Sequence, residues 1–97
     1  MTIFKLFCNT ANDFERKRFG ERFFTTYTNA KKAREEVLAK EVEALKNVDC
    51  YNSRTIGRET AQDGHDRVRV VTAAKKKFGN FCHTGMWYEI VKIETED

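Results

Sequence analysis

Five side chains could ligate a soft metal or form a nucleophile–base pair: Cys8, Cys50, Cys82, His65 and His83. Zinc sites usually show paired ligands at short spacing, such as two cysteines separated by two residues. Here only Cys82 and His83 lie close in sequence, and directly adjacent residues rarely serve one tetrahedral ion. The same adjacency counts against a thiolate–imidazole pair, because neighbours on a strand face opposite ways. Asp63, His65 and Asp66 gather in a loop beside Gly64. Nothing near them supplies an oxyanion scaffold or a glycine-rich phosphate cradle. The expectation is no catalytic residue, no metal and no cofactor, with Cys8 a buried apolar thiol beside Phe4 and Leu6.

The chemistry that the pattern favours is recognition of charge. Arg67, Arg69, Lys75, Lys76 and Lys77 place five positive charges and no negative one between residues 67 and 77. Arg16, Lys17 and Arg18 form a second cluster. The first group could track a phosphate backbone while Phe78 or Phe81 stacks on bases. Lys31 and Lys32, in the first turn of a helix, would add an anion site. Arg67 and Arg69 would serve equally as anchors in a protein contact. Against nucleic acid stand the net charge of only +3 and the acidic tail at about 94–97. The chain also carries no RNP, KH or helix-turn-helix signature.

These residues must be positioned by a small set of elements. Residues 29–48 read as one long helix, free of Gly and Pro and rich in Ala, Leu, Glu, Lys and Arg. Thr28 or Asn29 would cap it, and Lys31–Glu35 and Lys32–Glu36 pairs would offset its basic first turn. Ala30, Ala33, Val37, Ala44 and Val48 form one apolar row, and Leu38, Val42 and Leu45 a second. Arg34 and Glu41 fall on the seam between them. Either the first row packs on a sheet and the second is left for a partner, or the sheet wraps both and the two charges snorkel outward.

Strands are expected at Thr2–Cys8, Arg22–Tyr27, Asp66–Thr72 and Met86–Glu94, from their alternation of apolar and polar residues. In the first, Phe4, Leu6 and Cys8 share one face and Ile3, Lys5 and Phe7 the other; in the third, Val68 and Val70 face the core. Asn9–Glu21 reads as a hairpin loop or bulged ribbon. Residues 49–65 read as a long polar loop, with room for a short strand near Arg54–Ile56. Ala73–Phe78 reads as a short helix or turn stopped by Gly79. The alternative there is a hairpin turning at Gly79-Asn80.

The fold class that follows is α+β: one domain over 1–97, ordered strand-strand-helix-strand-strand, with a long helix on a mainly antiparallel sheet. With 34% charged and 40% hydrophobic residues, the chain is expected to fold. Three cysteines and no signal-peptide pattern point to a reducing cytoplasm. No apolar run is long enough to span a membrane. One sheet face has no second long helix to cover it. With eight Phe, three Tyr and one Trp available, an open aromatic surface would favour a partner or a homodimer mate.

An aromatic strand runs straight into a Lys/Ala-rich helix, Phe23-Phe24-Thr25-Thr26-Tyr27 and then Asn29-Ala30-Lys31-Lys32-Ala33, and the chain closes on Trp87-Tyr88-Glu89-Ile90. In this the sequence resembles small accessory proteins of phages and mobile elements, the group that includes anti-CRISPR proteins. The resemblance implies a compact domain that binds and blocks a larger machine in the host cytoplasm, and it transfers no functional residue. Many of that group mimic DNA with an acidic surface, a pattern this chain departs from. The expected function is a non-enzymatic interaction protein for a protein or ribonucleoprotein partner. The alternative is a DNA- or RNA-binding protein using the basic strand and lysine-rich loop.

Overall fold

A computed structural model describes residues 1–10, 13–46, 53–76, 79–84 and 86–96; of 53, 54, 72–76 and 79–84 it describes the backbone alone. The chain runs β1 (Thr2–Asn9), α1 (Asp13–Phe19), β2 (Glu21–Phe24), α2 (Tyr27–Lys46), β3 (Ser53–Thr60), β4 (Arg67–Lys76), β5 (Gly79–Thr84) and β6 (Trp87–Glu94). The sheet is antiparallel throughout, ordered β2-β1-β6-β4-β3, with β5 also paired to β4. The α+β class holds, with a long helix on an antiparallel sheet. The element order is richer than strand-strand-helix-strand-strand.

The period-2 alternation sends Leu6 and Cys8 of β1, Tyr88 and Ile90 of β6, and Val68 and Val70 of β4 to one face. Ala30, Ala33 and Leu38 of α2 close over them. Two alanines at the contact let the helix backbone approach the sheet. Phe19 of α1 meets Tyr88 edge to face at 5.2 Å, so the short helix covers the same face as the long one.

Several expectations are corrected. Asn9–Glu21 is not a loop, because it contains α1. Asp13 and Glu15 occupy its first turn and Arg16, Lys17 and Arg18 its last, matching the helix dipole. Gly20, at φ +74°, stops it by donating its amide to the Arg16 carbonyl at 3.0 Å. The second strand ends at Phe24, and Thr26 is the cap of α2 in place of Thr28 or Asn29. Its hydroxyl accepts the Asn29 amide at 3.2 Å. Glu35 pairs with Arg58 of β3 at 2.8 Å, tying the helix to the sheet, and Lys31 adds a weaker favourable charge.

The polar stretch 49–65 contains β3, an edge strand whose Thr55 and Gly57–Thr60 are exposed, which is why its sequence lacks a clean apolar period. Residues 49–52, including Cys50, lie outside the described residues, as does Val48. Ala73–Lys76 is strand, not short helix: pairing with β3 on one side and β5 on the other overrides the helix preference of Ala and Lys. Gly79 and Asn80 belong to β5, opposite Lys76 and Lys75, so they do not form the turn. The last strand ends at Glu94 as expected from Met86–Glu94, with Glu94 opposite Thr2.

The seam of α2 faces inward. Leu38 is buried and Ala44 exposed, so the second row is not a partner-facing strip. Arg34 does not snorkel: it is 3% exposed. Its Nη1 donates to Asp66 Oδ1 at 2.9 Å and to the Asp66 carbonyl at 3.0 Å. A buried guanidinium is tolerable only with such partners.

Candidate interaction surface

The opposite face of the sheet has neither helix on it. Register places Ile3, Lys5, Phe7 and Asn9 of β1 beside Trp87, Glu89, Val91 and Ile93 of β6. Phe23 of β2 lies on its β1 side, opposite Lys5 and 57% exposed. Arg67 and Arg69 of β4 lie on its other side, with Arg67 opposite Glu89.

The rings on this face carry cations. Lys5 Nζ sits 4.8 Å from the centre of Phe7. Arg67 and Arg69 stack on Trp87, at 4.9 and 4.4 Å from its centre. Each of these cations also has its own carboxylate. Lys5 meets Glu21 at 3.6 Å. Arg69 Nη2 reaches both oxygens of Glu59, at 3.0 and 2.9 Å, and Arg67 pairs with Asp63. β3 brings Glu59 directly opposite Arg69.

The β3–β4 turn supplies Asp63. Gly64 takes φ +85°, and the Asp63 side chain accepts the His65 amide at 3.2 Å. That hydrogen bond, and then the nearby Arg67, hold the Asp63 carboxyl below its ordinary pKa. His65 Nδ1 lies 3.1 Å from Glu89 Oε1, and Asn9 Nδ2 donates to Glu89 Oε2 at 2.8 Å. Glu89 is only 5% exposed, so a fixed carboxylate sits beneath the face. A recess of about 630 Å3 opens between Trp87 and this turn.

The sequence-singled residues fall in separate places. Arg67 and Arg69 are on the open face. Lys75 and Lys76 lie six and seven residues beyond Arg69 along β4, roughly 20 Å away at 3.3 Å per residue. Phe81 is in β5 opposite Ala74, and Lys77 and Phe78 lie outside the described residues. Arg16, Lys17 and Arg18 are on α1, and Lys31 and Lys32 on the first turns of α2, both helices packing on the other face. Arg16 and Arg18 are paired with Asp13 and Glu15. Among the described residues, the positive ones therefore fall in separate parts of the fold.

Sequence reasoning missed Glu59, Asp63 and Glu89 as members of this surface, and the stacking of both arginines on Trp87. The alternation Arg67-Val68-Arg69 signalled an outward pair, but its partners depend on strand neighbours distant in sequence.

The helix side holds a different polar group. Burial, then Glu15 and Glu41, pushes the Cys8 thiol up to about 11, so it stays protonated and unreactive at neutral pH. Burial also raises Tyr88, whose hydroxyl donates to Glu41. Among the described residues no group of three or more His, Cys, Asp or Glu is placed to hold a metal ion. Among these residues, too, no helix is long and apolar enough to cross a membrane.

The fold and this face define an open-faced α+β domain: among the described residues, helices cover the antiparallel sheet on one side only. No family model, curated protein or solved structure matches the chain.

Proposed function

We propose that the chain is a non-enzymatic interaction protein that binds a protein or ribonucleoprotein partner through the open sheet face. The carrying observation is the charge bookkeeping of that face. Among the described residues, its cations Lys5, Arg67 and Arg69 are matched by Glu21, Asp63 and Glu59, and Glu89 adds a further buried carboxylate. A phosphate-tracking surface needs unspent positive charge. Here what is left over is apolar: Phe7, Phe23, Trp87, Val91 and Ile93, rimmed by ion pairs. Aromatic and arginine residues within a polar rim are the usual composition of a protein contact. An inhibitory role against a host defence machine, of the kind the resemblance implies, fits this reading because it needs only occupancy of a surface.

The test is affinity capture from the native host with wild-type protein and Trp87→Ala, each before and after nuclease treatment. The expected result is a protein retained by the wild type after nuclease, bound almost equally at 50 and 300 mM salt, and lost with the variant. Capture that disappears with nuclease, or that survives Trp87→Ala in a protein of unchanged circular dichroism, overturns the reading.

A further inference from the structure

Beyond residue 70 the sheet changes character. β4 continues as Val71–Lys76, flanked by Ser53–Gly57 of β3 and by β5. Among the described residues, β5 has β4 as its only neighbouring element, and β3 touches only β4 and, lightly, α2. The three strands form a single-layer ribbon that leaves the helix-covered body. The molecule is correspondingly long, with extents of 59 × 25 × 25 Å.

The residue types of this ribbon differ from those of the body. Ser53–Gly57, Val71–Lys76 and Gly79–Thr84 contain Arg54, Lys75 and Lys76 and not one Asp or Glu. In the body Lys5, Arg67 and Arg69 each have a carboxylate partner, whereas the ribbon segments add positive residues and no acidic ones to the chain. Lysine often serves a sheet by guarding an exposed edge. That role does not account for Lys75, which is on the central strand, with Ser53 on one side and Asn80 on the other. Consecutive strand positions belong to opposite faces of a layer. The Lys75-Lys76 pair therefore suits neither face of the ribbon to an apolar core.

A narrow β-layer that projects from a domain and carries only positive charge is complementary to a polyanion. β-ribbons and small sheets enter the grooves of duplexes, and lysine and arginine neutralise the flanking phosphates. We infer that the β3–β4–β5 ribbon binds the phosphodiester backbone of a nucleic acid, with Arg54, Lys75 and Lys76 supplying the charge. This surface is separate from the Trp87 face and does not depend on the reading given for it. The two together describe a protein that engages a partner carrying both polypeptide and nucleic acid.

The test is fluorescence anisotropy with a labelled 20-base-pair DNA duplex and its separated strand, titrated with the intact protein from 50 to 200 mM salt. Binding is expected to weaken linearly in log salt. Lys75→Ala with Lys76→Ala should lower the affinity at least about 10-fold and reduce the salt slope by about 2, one unit for each lost phosphate contact. Arg54→Ala, on a different strand, should reduce the slope by about 1 and guards against misfolding of the double variant. Trp87→Ala should bind the probe unchanged, which separates failure here from failure of the protein-contact reading. Of the two probes, the tighter identifies the form of nucleic acid. No binding at 50 mM salt overturns the inference, as does full affinity in the ribbon variants. Equal competition by polyglutamate at matched charge also overturns it, and would assign the ribbon to an acidic protein segment.

Discussion

The Glu41 carboxyl accepts hydrogen bonds from the Tyr88 hydroxyl and the Met86 amide, yet burial outweighs them and raises its pKa above the ordinary 4.5. Between 4.5 and that higher native value the folded chain binds more protons than the unfolded one. Stability contributed by this site is therefore lost as pH rises through the window, and the penalty is complete above it. Glu41→Gln removes the charge while keeping an acceptor for Tyr88. It should raise the urea midpoint at pH 7, with the advantage shrinking as pH falls and vanishing below about pH 4.5. Equal midpoints at every pH would show that the carboxylate carries no such penalty. Both Glu41 and Arg34 could be placed from sequence on the seam between two apolar rows, but not their fate. The choice between solvent and interior is made by Asp66 and Tyr88, 32 and 54 residues from Arg34, and helical periodicity holds no information about either. Trp87 is a parallel case: its strand could be read, whereas the two guanidiniums stacked on it could not.

The long helix depends on a cap that lies outside the amphipathic pattern. Thr26 accepts the Asn29 amide through its hydroxyl and the Ala30 amide through its carbonyl, at 3.2 Å each. The first turn carries no acid to soften the dipole. Thr26→Ala should therefore cost about 1 kcal/mol, read as a fall in Tm of about 5 °C, with Thr26→Ser restoring most of it. An unchanged Tm would mean that the helix end is held by packing alone. Elements with a strong internal period were readable: α2, β1, the first half of β4, and β6. The short helix α1 was also written in the chain, as acids followed by bases and then Gly20, but its seven residues expose no buried side chain to give a period. β3 was legible only as room for a short strand near Arg54–Ile56, and the far half of β4 only as the hairpin alternative to a short helix. The first is polar because it lies at an edge, and the second has the composition of a helix but two strand neighbours. The charge clusters legible in the chain are thus distributed by the topology over the body, the ribbon and the helical side.

The dimensions of the whole molecule follow from that split between body and ribbon. Its radius of gyration is 15.5 Å, whereas a compact chain of 97 residues has one of about 12.5 Å. Its accessible surface of 6929 Å2 likewise exceeds the roughly 5,800 Å2 of a compact monomer this size. Small-angle scattering should return a radius of gyration well above 12.5 Å and a maximum dimension near 60 Å. A globular profile would show the ribbon folded back on the body. The strand order has a separate bearing on how the protein is made. β1 sits between β2 and β6, in register with β6 from Thr2–Glu94 to Asn9–Trp87. A growing polypeptide on the ribosome would hold Leu6 and Cys8 beside an empty edge until nearly all of these residues had emerged. Acquisition of native structure is thereby postponed until β6 has been made, a delay in which chaperones would find this chain a client.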